Sequence, residues 1–496
     1  MKDLHCLVTP QSQAPRLIAS PRLSALRLSA LCLSALCLSA CAGEGSGEGG
    51  EGGVGDKSNP TPPSAPPTRL SELRYGALKT LSGAFTGAPL WVSNNPEDLR
   101  GFGLLSSTRP PDAFAPRGDA YGVPYPDLEV LNEAAWRETQ AGCPIGEVRQ
   151  IDLYLAHILS SAHLSGERRL SVQIEAGATG GKARWSARVG TTTWSDLRGY
   201  KTTRDDWLGA RVAAFRLALS EGAPLEGQLT LAPGQRHTIT TVTAESLVEG
   251  VVRLEVEGGC AAVHVIAHSG EPPTLTPPYA AGDVKWPGWY NGKGYGRAAG
   301  LYEGGEWLGS GSHDIQGARE AFGWRLFDAQ QSPKAIARHG DSAEVLFGGY
   351  GVVYEASVSL KNTAAECVSA QVGFTSYADL ALKSGVTPLG DARAPSSAYL
   401  NLTDPARRPS MLWNGPLHAR YQLRGGERTT LERAVVLTPT GASPSDPTAT
   451  ASGLTAPLFR LNMEPGEARE VRVRLPVPGY IVAPAALTAE VTPCGG

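Results

Sequence analysis

Short apolar runs bounded by turn residues constrain the fold of this chain more than any other feature. Such runs recur from about residue 148 onward, for example Leu170–Glu175, Val251–Val256 and Val352–Leu360. Together with 59 glycines and 38 prolines, which supply turns, this pattern is typical of short antiparallel strands. We therefore predict an all-β fold of two immunoglobulin-like antiparallel β-sandwich domains, with boundaries at 69–275 and 276–496.

Helical patterns are scarce in the sequence. Long amphipathic helices are nearly absent, and Glu129–Gln140 is the best single helix candidate. The run Arg211–Leu219 is interpreted as one more short strand. Helices are therefore expected to contribute little to the fold.

A strand, a Pro-Gly turn and a second strand occur once in each half of the chain. Pro233–Gly234 lies within Leu229–Arg236, and Pro465–Gly466 lies within Leu461–Arg469. Proline presets φ for the first central position of a tight turn, and glycine accepts the positive φ of the second. This internal repeat favours two sandwiches of similar construction.

The N-terminal segment has the parts of a bacterial lipoprotein signal. An interrupted apolar run ends in Leu-Ser-Ala-Cys, which is a lipobox with Cys41 as its last residue. We expect removal of residues 1–40 and lipidation of Cys41; an ordinary signal peptide with Cys41 left as a thiol is the alternative. Because residue 42 is alanine and not aspartate, the outer membrane is the expected destination. The positive charge before the run comes from Arg16, Arg22 and Arg27.

The segment after the lipobox, residues 41–68, is predicted to be a flexible linker. It is rich in glycine, glutamate and proline, it has no aromatic residue, and Val54 is its only large apolar side chain. Such a composition cannot bury a core. The linker would hold the folded part clear of the membrane to which the lipid anchors it.

Four cysteines follow the linker: Cys143, Cys260, Cys367 and Cys494. An even number in an exported protein favours disulfides, and four cysteines allow three connectivities. Because the four positions bracket the two halves of the chain, we predict the pairs Cys143–Cys260 and Cys367–Cys494. A zinc site is the alternative, but no Cys-x-x-Cys motif or nearby histidine pair supports it, and no metal or cofactor is expected.

Several motifs follow one another along most of residues 75–490: Leu81–Glu97, Gly103–Thr108, Gly296–Gly300, His339–Gly340, Gly349–Tyr354 and Leu461–Gly466. In this order and spacing they resemble a family of bacterial exported proteins, the domain-of-unknown-function family number thirty-three seventy. The resemblance implies export and a β architecture, with no assigned activity.

No catalytic signature stands out. The chain lacks a Gly-x-Ser-x-Gly elbow, a His-Glu-x-x-His helix, a P-loop and an EF-hand loop. His157 near Ser160 has no placed acid partner for catalysis. His339 with Asp341 is interpreted as a solvated surface turn, and a metal ligand or general base is the alternative. The formal net charge of −3 provides no basic excess for nucleic acid. We therefore predict no catalytic residues and no nucleic-acid partner.

The aromatic, glycine-rich segment Asp283–Trp307 is the candidate ligand-binding region. Aromatic faces stack on sugar rings, and glycine lets a ligand approach the backbone closely. The alternative is that these rings fill the junction between the two halves. The candidate ligand-binding residues are Trp286, Trp289, Tyr290, Tyr295 and Trp307.

These features together favour a surface-anchored lipoprotein with a structural or extracellular binding role in the cell envelope. Its expected partners are the membrane, through the lipid, and a polysaccharide or an envelope protein. A secreted carbohydrate-active enzyme and a carbohydrate-binding or envelope assembly module remain the alternatives.

Overall fold

The computed structural model describes residues 69–70, 72–73, 77–99, 102–109, 130–161, 164–193, 208–272, 298–326, 331–338, 345–346, 349–376, 415–424, 430–437, 454–477 and 485–495. All of them belong to one compact unit, Ala65–Gly496. The lipobox and the whole linker, residues 41–68, lie outside the described residues.

Strands dominate these ranges and form four sheets. The first has the order β10 (Arg236–Thr243), β7 (Arg169–Ala176), β12 (Ala261–His268), β4 (Gly103–Ser107). The second has the order β5 (Val130–Leu131), β16 (Ala335–Arg338), β13 (Ala298–Tyr302), β3 (Leu90–Asp98), β6 (Gln150–Ile158), β11 (Leu247–Glu257), β8 (Gly181–Thr192), β9 (Gly227–Leu231).

The other two sheets are built mostly from the second half of the chain. The third has the order β2 (Ser82–Thr86), β14 (Glu306–Ile315), β17 (Val353–Asn362), β22 (Ala468–Pro476), β19 (Gly415–Arg424), β20 (Thr430–Leu437). The fourth has the order β1 (Lys79–Thr80), β15 (Glu320–Leu326), β23 (Ala485–Pro493), β18 (Val368–Ser376), β21 (Leu454–Met463). The all-β prediction is confirmed.

The four- and eight-stranded sheets pack face to face as a first sandwich. Alternate residues of β7, such as Val172 and Ile174, meet Leu153 of β6 and Leu254 of β11 in one buried cluster. Successive side chains of a strand point to opposite faces, so the apolar residues of β7 face this core while the residues between them face outward. Because of this alternation, the polar residues of β7 lie on the outward surface of the four-stranded sheet.

The six- and five-stranded sheets form a second sandwich with its own core. Val358 and Val471 of the six-stranded sheet pack with Val372 and Leu487 of the five-stranded sheet. The same cluster includes Tyr154 of β6, which belongs to the second face of the eight-stranded sheet. The second face of the eight-stranded sheet therefore packs into the core of the second sandwich, while the core of the first sandwich is a separate cluster.

Strand pairing crosses the boundary that the sequence predicted at residues 275/276. β1 and β2 pair with β15 and β14, and β13 from the second half pairs with β3. Three strand pairs, β1–β15, β3–β6 and β14–β17, are parallel rather than antiparallel. The two halves are thus not two separate sets of sheets, because the N-terminal strands contribute hydrogen bonds to both sandwiches.

Two helices lie within the described ranges, and neither is long and apolar enough to span a membrane. Helix α1 (Glu133–Thr139) falls within the predicted helix segment, and the side chain of Asn132 caps it by accepting from the Ala135 N–H at 3.1 Å. Helix α2 (Leu208–Ser220) occupies the segment interpreted as a strand. That interpretation was wrong because its alanines and leucines favour a helix.

Helix α2 places one buried arginine between the two sandwiches. Arg216 pairs with Asp152 of β6 at 3.0 Å, with 1% and 0% of the two side chains exposed. Its guanidinium also donates to the carbonyls of Gly305 and Gly351, at 2.7 and 2.8 Å. Arg253 donates to the other side of the Asp152 carboxylate, at 2.6 Å to Oδ1. The carboxylate is thereby paired on both sides.

The two predicted Pro-Gly turns have the same geometry. Gly234 and Gly466 adopt φ of 68° and 79°, and each turn closes with an i to i+3 backbone hydrogen bond of 3.0 Å. In both turns the side chain of the residue after glycine, Gln235 or Glu467, accepts from the backbone N–H three residues earlier at 2.8 Å. Each turn carries the chain from one sheet of a sandwich to the other sheet.

The disulfides join the cysteines in the predicted pairs. Cys143 bonds to Cys260 with a Cα–Cα distance of 5.8 Å, and Cys367 bonds to Cys494 with 5.4 Å. The first fixes the loop after α1 to the start of β12. The second fixes the start of β18 to the end of β23. Each bridge thus lies within one sandwich.

Candidate ligand-binding face

The outward surface of the four-stranded sheet carries polar side chains on strands whose inward surface is apolar. We call this surface the polar face. Several of its members are buried even though they point away from the sandwich core. Its residues are Ser107, Ser171, Gln173, Glu175, Arg236, Thr238, Thr241, His264 and His268.

Strand register places four of these residues in one row across the sheet. His264 of β12 pairs with Ser107 of β4 on one side and with Gln173 of β7 on the other. Gln173 in turn pairs with Thr238 of β10. Residues directly opposite each other in neighbouring strands have adjacent side chains. The row is therefore a continuous line of hydrogen-bonding groups.

A second group of hydrogen-bonding side chains lies beside this row, where Ser171 meets Thr241 directly across the strand pair and His268 diagonally. Ser171 Oγ lies 2.7 Å from Thr241 Oγ1 and 2.8 Å from His268 Nε2. Burial lowers the pKa of His268 below its ordinary value. The imidazole is therefore neutral at neutral pH and serves as a hydrogen-bonding group rather than a charge.

His264 connects a serine to a carboxylate. Ser107 Oγ lies 2.9 Å from His264 Nδ1, and Glu175 Oε2 lies 3.7 Å from His264 Nε2. The backbone N–H of Arg109 donates to Ser107 Oγ at 3.0 Å, which leaves the serine O–H to donate to Nδ1. The neutral imidazole then carries its hydrogen on Nε2, on the side of Glu175, but 3.7 Å is beyond hydrogen-bond distance.

Ser107, His264 and Glu175 are arranged in the order of a catalytic triad, but a substrate cannot reach them. Ser107 and His264 are both 0% exposed. A substrate carbonyl therefore has no path to the serine oxygen, and burial lowers the pKa of His264. The arrangement is a buried polar network that stabilises the sheet.

Arginines hold Glu175 in its ionised form. Together with the His264 imidazole, which has the largest effect, Arg236 and Arg109 lower the pKa of Glu175 to about 2. Arg109 and Arg236 each donate to this carboxylate at 2.9 Å. Arg109 also reaches Glu147 at 3.3 Å. The charges at this end of the polar face are therefore paired with one another.

Among the described residues, Gln173 Oε1 is a buried acceptor on the polar face without a hydrogen-bond partner, and His268 Nδ1 is a buried ring nitrogen in the same position. Gln173 is 6% exposed, and its Nε2 donates to Thr238 Oγ1 at 3.2 Å. Its Oε1 is buried and accepts no hydrogen bond. Most buried polar atoms are paired, so this oxygen is an exception that calls for an explanation.

Among the residues proposed from the sequence, Trp307 has a different role from the expected one. It is 1% exposed and packs against Tyr354 with ring centroids 5.7 Å apart. A ring this buried cannot stack on a sugar, so its assignment to a ligand platform was wrong. Trp307 lies on the inward face of β14 and is a core residue. Trp286, Trp289, Tyr290 and Tyr295 lie outside the described residues, as does Cys41.

Sequence reasoning did not find the polar face. The available signal was the alternation in β7, where Ser171, Gln173 and Glu175 interrupt apolar residues, and the spacing of His264 and His268 in β12. Each signal is weak by itself. Only the strand register, which sequence does not reveal, brings them together.

In the ranges that the structure describes, no group of three or more His, Cys, Asp and Glu side chains is arranged to hold a metal ion. The histidines of the polar face are instead engaged with serine hydroxyls.

No family model matches the chain, and no curated protein matches it. Two solved structures are similar over about two thirds of the chain. The CUB1-EGF-CUB2 domain of human MASP-1/3 has 8% identity and a TM-score of 0.15, over 69% of this chain and 93% of that one. The CBM22-1-CBM22-2 tandem domain of Xyn10C from Paenibacillus barcinonensis has 7% identity and a TM-score of 0.11, over 68% and 74%. Scores this low carry no argument about function.

Proposed function

We propose that this chain is an exported, lipid-anchored binding protein of the bacterial cell envelope, and that its ligand is bound at the polar face. The observation that carries the proposal is the row of hydrogen-bonding side chains on the outward surface of the four-stranded sheet. The buried members of this surface satisfy one another's hydrogen bonds, because polar groups are costly to bury unpaired. Its solvent-accessible members, Arg236, Thr238 and Thr241 of β10, are the side chains open to a ligand.

Export is supported by two independent features. The lipobox precedes a linker that cannot fold, and both disulfides lie in the part of the chain that follows it. Disulfides persist in oxidising compartments outside the cytoplasm. Lipidation at Cys41 would then place the two sandwiches at a membrane surface, at the end of the linker.

Export and lipidation are tested by mass spectrometry of the protein isolated from the cell envelope. We expect an amino-terminal Cys41 that carries acyl chains, and we expect Cys41→Ala to accumulate as an unprocessed, unlipidated precursor. An unmodified Cys41 terminus on the wild-type protein would contradict this part of the proposal.

Ligand binding at the polar face is tested with a pull-down. The mature domain is immobilised and exposed to envelope material, and the retained glycans and proteins are analysed separately. Thr238→Arg places a bulky side chain on the polar face, and Ser359→Arg is the matched control on an exposed position of β17. We expect the wild type and Ser359→Arg to retain a ligand that Thr238→Arg loses. Equal retention by all three, or none by the wild type, contradicts a ligand site at the polar face.

A further inference from the structure

Strand β10 forms one edge of the four-stranded sheet and carries the accessible part of the polar face. Among the described residues it pairs only with β7, and Thr241 and Thr243 are exposed. Residues 238–243 are all β-branched, and the strand contains no proline and no lysine. β-Branched residues favour strand pairing, whereas proline and lysine are residues that commonly protect an exposed edge from it. This edge is therefore open to a further strand.

The hydrogen bonds at the two ends of β10 show which of its backbone groups point away from β7. The Ala244 N–H donates to the Arg168 carbonyl at 2.7 Å, and the Ala176 N–H donates to the Gln235 carbonyl at 2.9 Å. Hydrogen-bonded and non-hydrogen-bonded residue pairs alternate along an antiparallel ladder, and the bulge at Ile239 shifts this alternation once. The residues whose N–H and C=O groups point to the open edge are therefore Arg236, Thr238, Thr241 and Thr243.

The core of the first sandwich is covered less completely on the side of β10 than on the side of β4. Every residue of β4 is buried. β10 packs on β8, where the ring centroids of His237 and Trp185 lie 5.1 Å apart. β9 lies one strand beyond β8, and no described strand of the four-stranded sheet lies opposite it. The half-buried residues that pack against the core on this side are Trp185, Ala187, Val189, Leu229, Ile239 and Val242.

We call the space beside β10 and above β9 the edge recess. Neighbouring strands lie about 4.8 Å apart, so the edge recess is one strand wide. It has an apolar side toward Leu229 of β9 and a polar side that continues the row of Thr238 and Thr241. The β10 edge of a second copy of this chain does not fit, because its own β9 also reaches one strand beyond β10 and would collide with the first β9.

From these observations we propose that the ligand of the polar face is an extended polypeptide segment of an envelope protein, which adds to the four-stranded sheet as a further strand beside β10. The inference rests on the proposed function and specifies its ligand class. In this mode of recognition main-chain hydrogen bonds provide affinity, and alternate side chains provide selectivity.

The two sides of the edge recess define the residues of this segment. Successive side chains of a strand point to opposite faces, so the segment alternates apolar residues toward β9 with small polar residues beside Thr238 and Thr241. The segment carries no charge toward the sheet, because Arg236 is already paired with Glu175 at 2.9 Å.

The test uses the mature protein and a fluorescent peptide that alternates threonine and valine over eight residues, the length of β10, with a lysine at each end for solubility. One control peptide has the same side chains but N-methyl groups on its backbone nitrogens, which abolish donation to β10. A second control peptide has serine in place of valine. Binding is measured by fluorescence anisotropy, and hydrogen exchange of the β10 amides is measured with and without peptide.

Two variants at one position test the same bond from the side of the protein. Thr241→Pro removes an N–H that points into the edge recess and keeps the ladder with β7, because proline is tolerated on an edge strand where its nitrogen faces outward. Thr241→Val is the matched control, since it keeps the N–H and the β-branched shape. The melting temperature of each variant is measured alongside binding.

We expect the threonine–valine peptide to bind the wild type and to slow hydrogen exchange at the Thr241 and Thr243 amides. N-methylation of the peptide and Thr241→Pro should each weaken binding about tenfold or more, because each removes main-chain hydrogen bonds. The serine peptide should also bind more weakly, and Thr241→Val should bind like the wild type. If Thr241→Pro folds poorly, the N-methylated peptide tests the same pairing on the unaltered protein.

Three results overturn the inference and leave the proposed function in place. One is equal binding of the plain and N-methylated peptides. Another is an envelope ligand that proves to be a glycan, with no peptide bound. The third is an envelope protein that Thr241→Pro retains and Thr238→Arg loses. If the wild type retains no peptide, no glycan and no envelope protein, the proposed function fails together with the inference.

Discussion

Arg216 and Asp152 form an ion pair in the interior of the protein, 3.0 Å apart, with neither side chain reaching solvent. Asp152 belongs to the eight-stranded sheet, while Arg216 also donates to the carbonyls of Gly305 and Gly351, which precede β14 and β17. The pair therefore connects the eight-stranded sheet of the first sandwich to the segments that lead into β14 and β17 of the second sandwich.

Replacing Arg216 with methionine should be strongly destabilising. The change removes the partner of a buried carboxylate and two donors to backbone carbonyls, for which we expect a loss of about 3–5 kcal/mol in the free energy of unfolding. Denaturant unfolding followed by circular dichroism measures it. Arg137→Met is the control, because Arg137 forms an exposed i,i+4 pair with Glu133. Similar losses for both variants would contradict the structural role of Arg216.

Removal of either disulfide should destabilise the sandwich that contains it. The bridges close segments of similar sequence separation, 117 and 127 residues, so we expect similar losses of about 2–5 kcal/mol for the paired Cys143→Ser/Cys260→Ser and Cys367→Ser/Cys494→Ser variants. Non-reducing peptide mapping checks the pairing, and thermal unfolding checks the size. Reactive thiols at these positions in the protein from the envelope would contradict the pairing.

Acid should weaken the protein through His264 before it does so through Glu175. Burial lowers the folded-state pKa of His264 below its ordinary 6.5, so the unfolded chain takes up this proton first and stability falls as pH drops below 6.5. Glu175 has a pKa of about 2 in the folded protein against 4.5 ordinarily, so its contribution is present above pH 4.5 and is lost as pH falls toward 2.

The variant His264→Gln isolates the first of these effects, because glutamine does not titrate. The free energy of unfolding is measured between pH 7.5 and 5 for both proteins. We expect a shallower decline in the variant than in the wild type. Glu306, whose pKa burial raises, acts with the opposite sign in both proteins and cancels in the comparison. Parallel curves would mean that His264 does not titrate differently in the folded and unfolded states.

Trp307→Ala should cost stability and leave ligand binding unchanged. The ring is buried beneath β2 and β14, where a Cβ on Gly309 would lie only 1.9 Å from it. Emptying a large aromatic site costs about 3–5 kcal/mol. Thermal unfolding and polysaccharide binding are measured on the same variant. A stable variant with weakened polysaccharide binding would contradict the core role of Trp307 and support the ligand-binding role expected from the sequence.

Local sequence signals predicted the local structure well. The Pro-Gly turns, the helix near Asn132 and the runs that became β7, β11 and β17 all depend on neighbouring residues. The disulfide pairing was predictable for a different reason, since the described strands between Cys143 and Cys260 all belong to the first sandwich and those between Cys367 and Cys494 all belong to the second.

Contacts between residues that are far apart in the chain could not be predicted from the sequence. Nothing near Ser82 indicates that β2 pairs with β14, and nothing in the run Arg211–Leu219 shows that its helix packs between two sheets. Tertiary packing decides such cases. The burial of Trp307 and the meeting of Gln173 with Thr238 likewise depend on which strands become neighbours.

The pairing of β1 and β2 with partners from the second half has a consequence for synthesis and export. Lys79 pairs with Trp324 and Thr86 with Glu306, so the earliest strands to emerge have no partners until most of the chain has been made. Contacts this distant in sequence slow folding and leave strand edges open in the meantime. A chain with this topology leaves β1 and β2 unpaired until β14 and β15 have been made, and a fragment that ends near residue 275 would carry three strands without their partners, β1, β2 and β5.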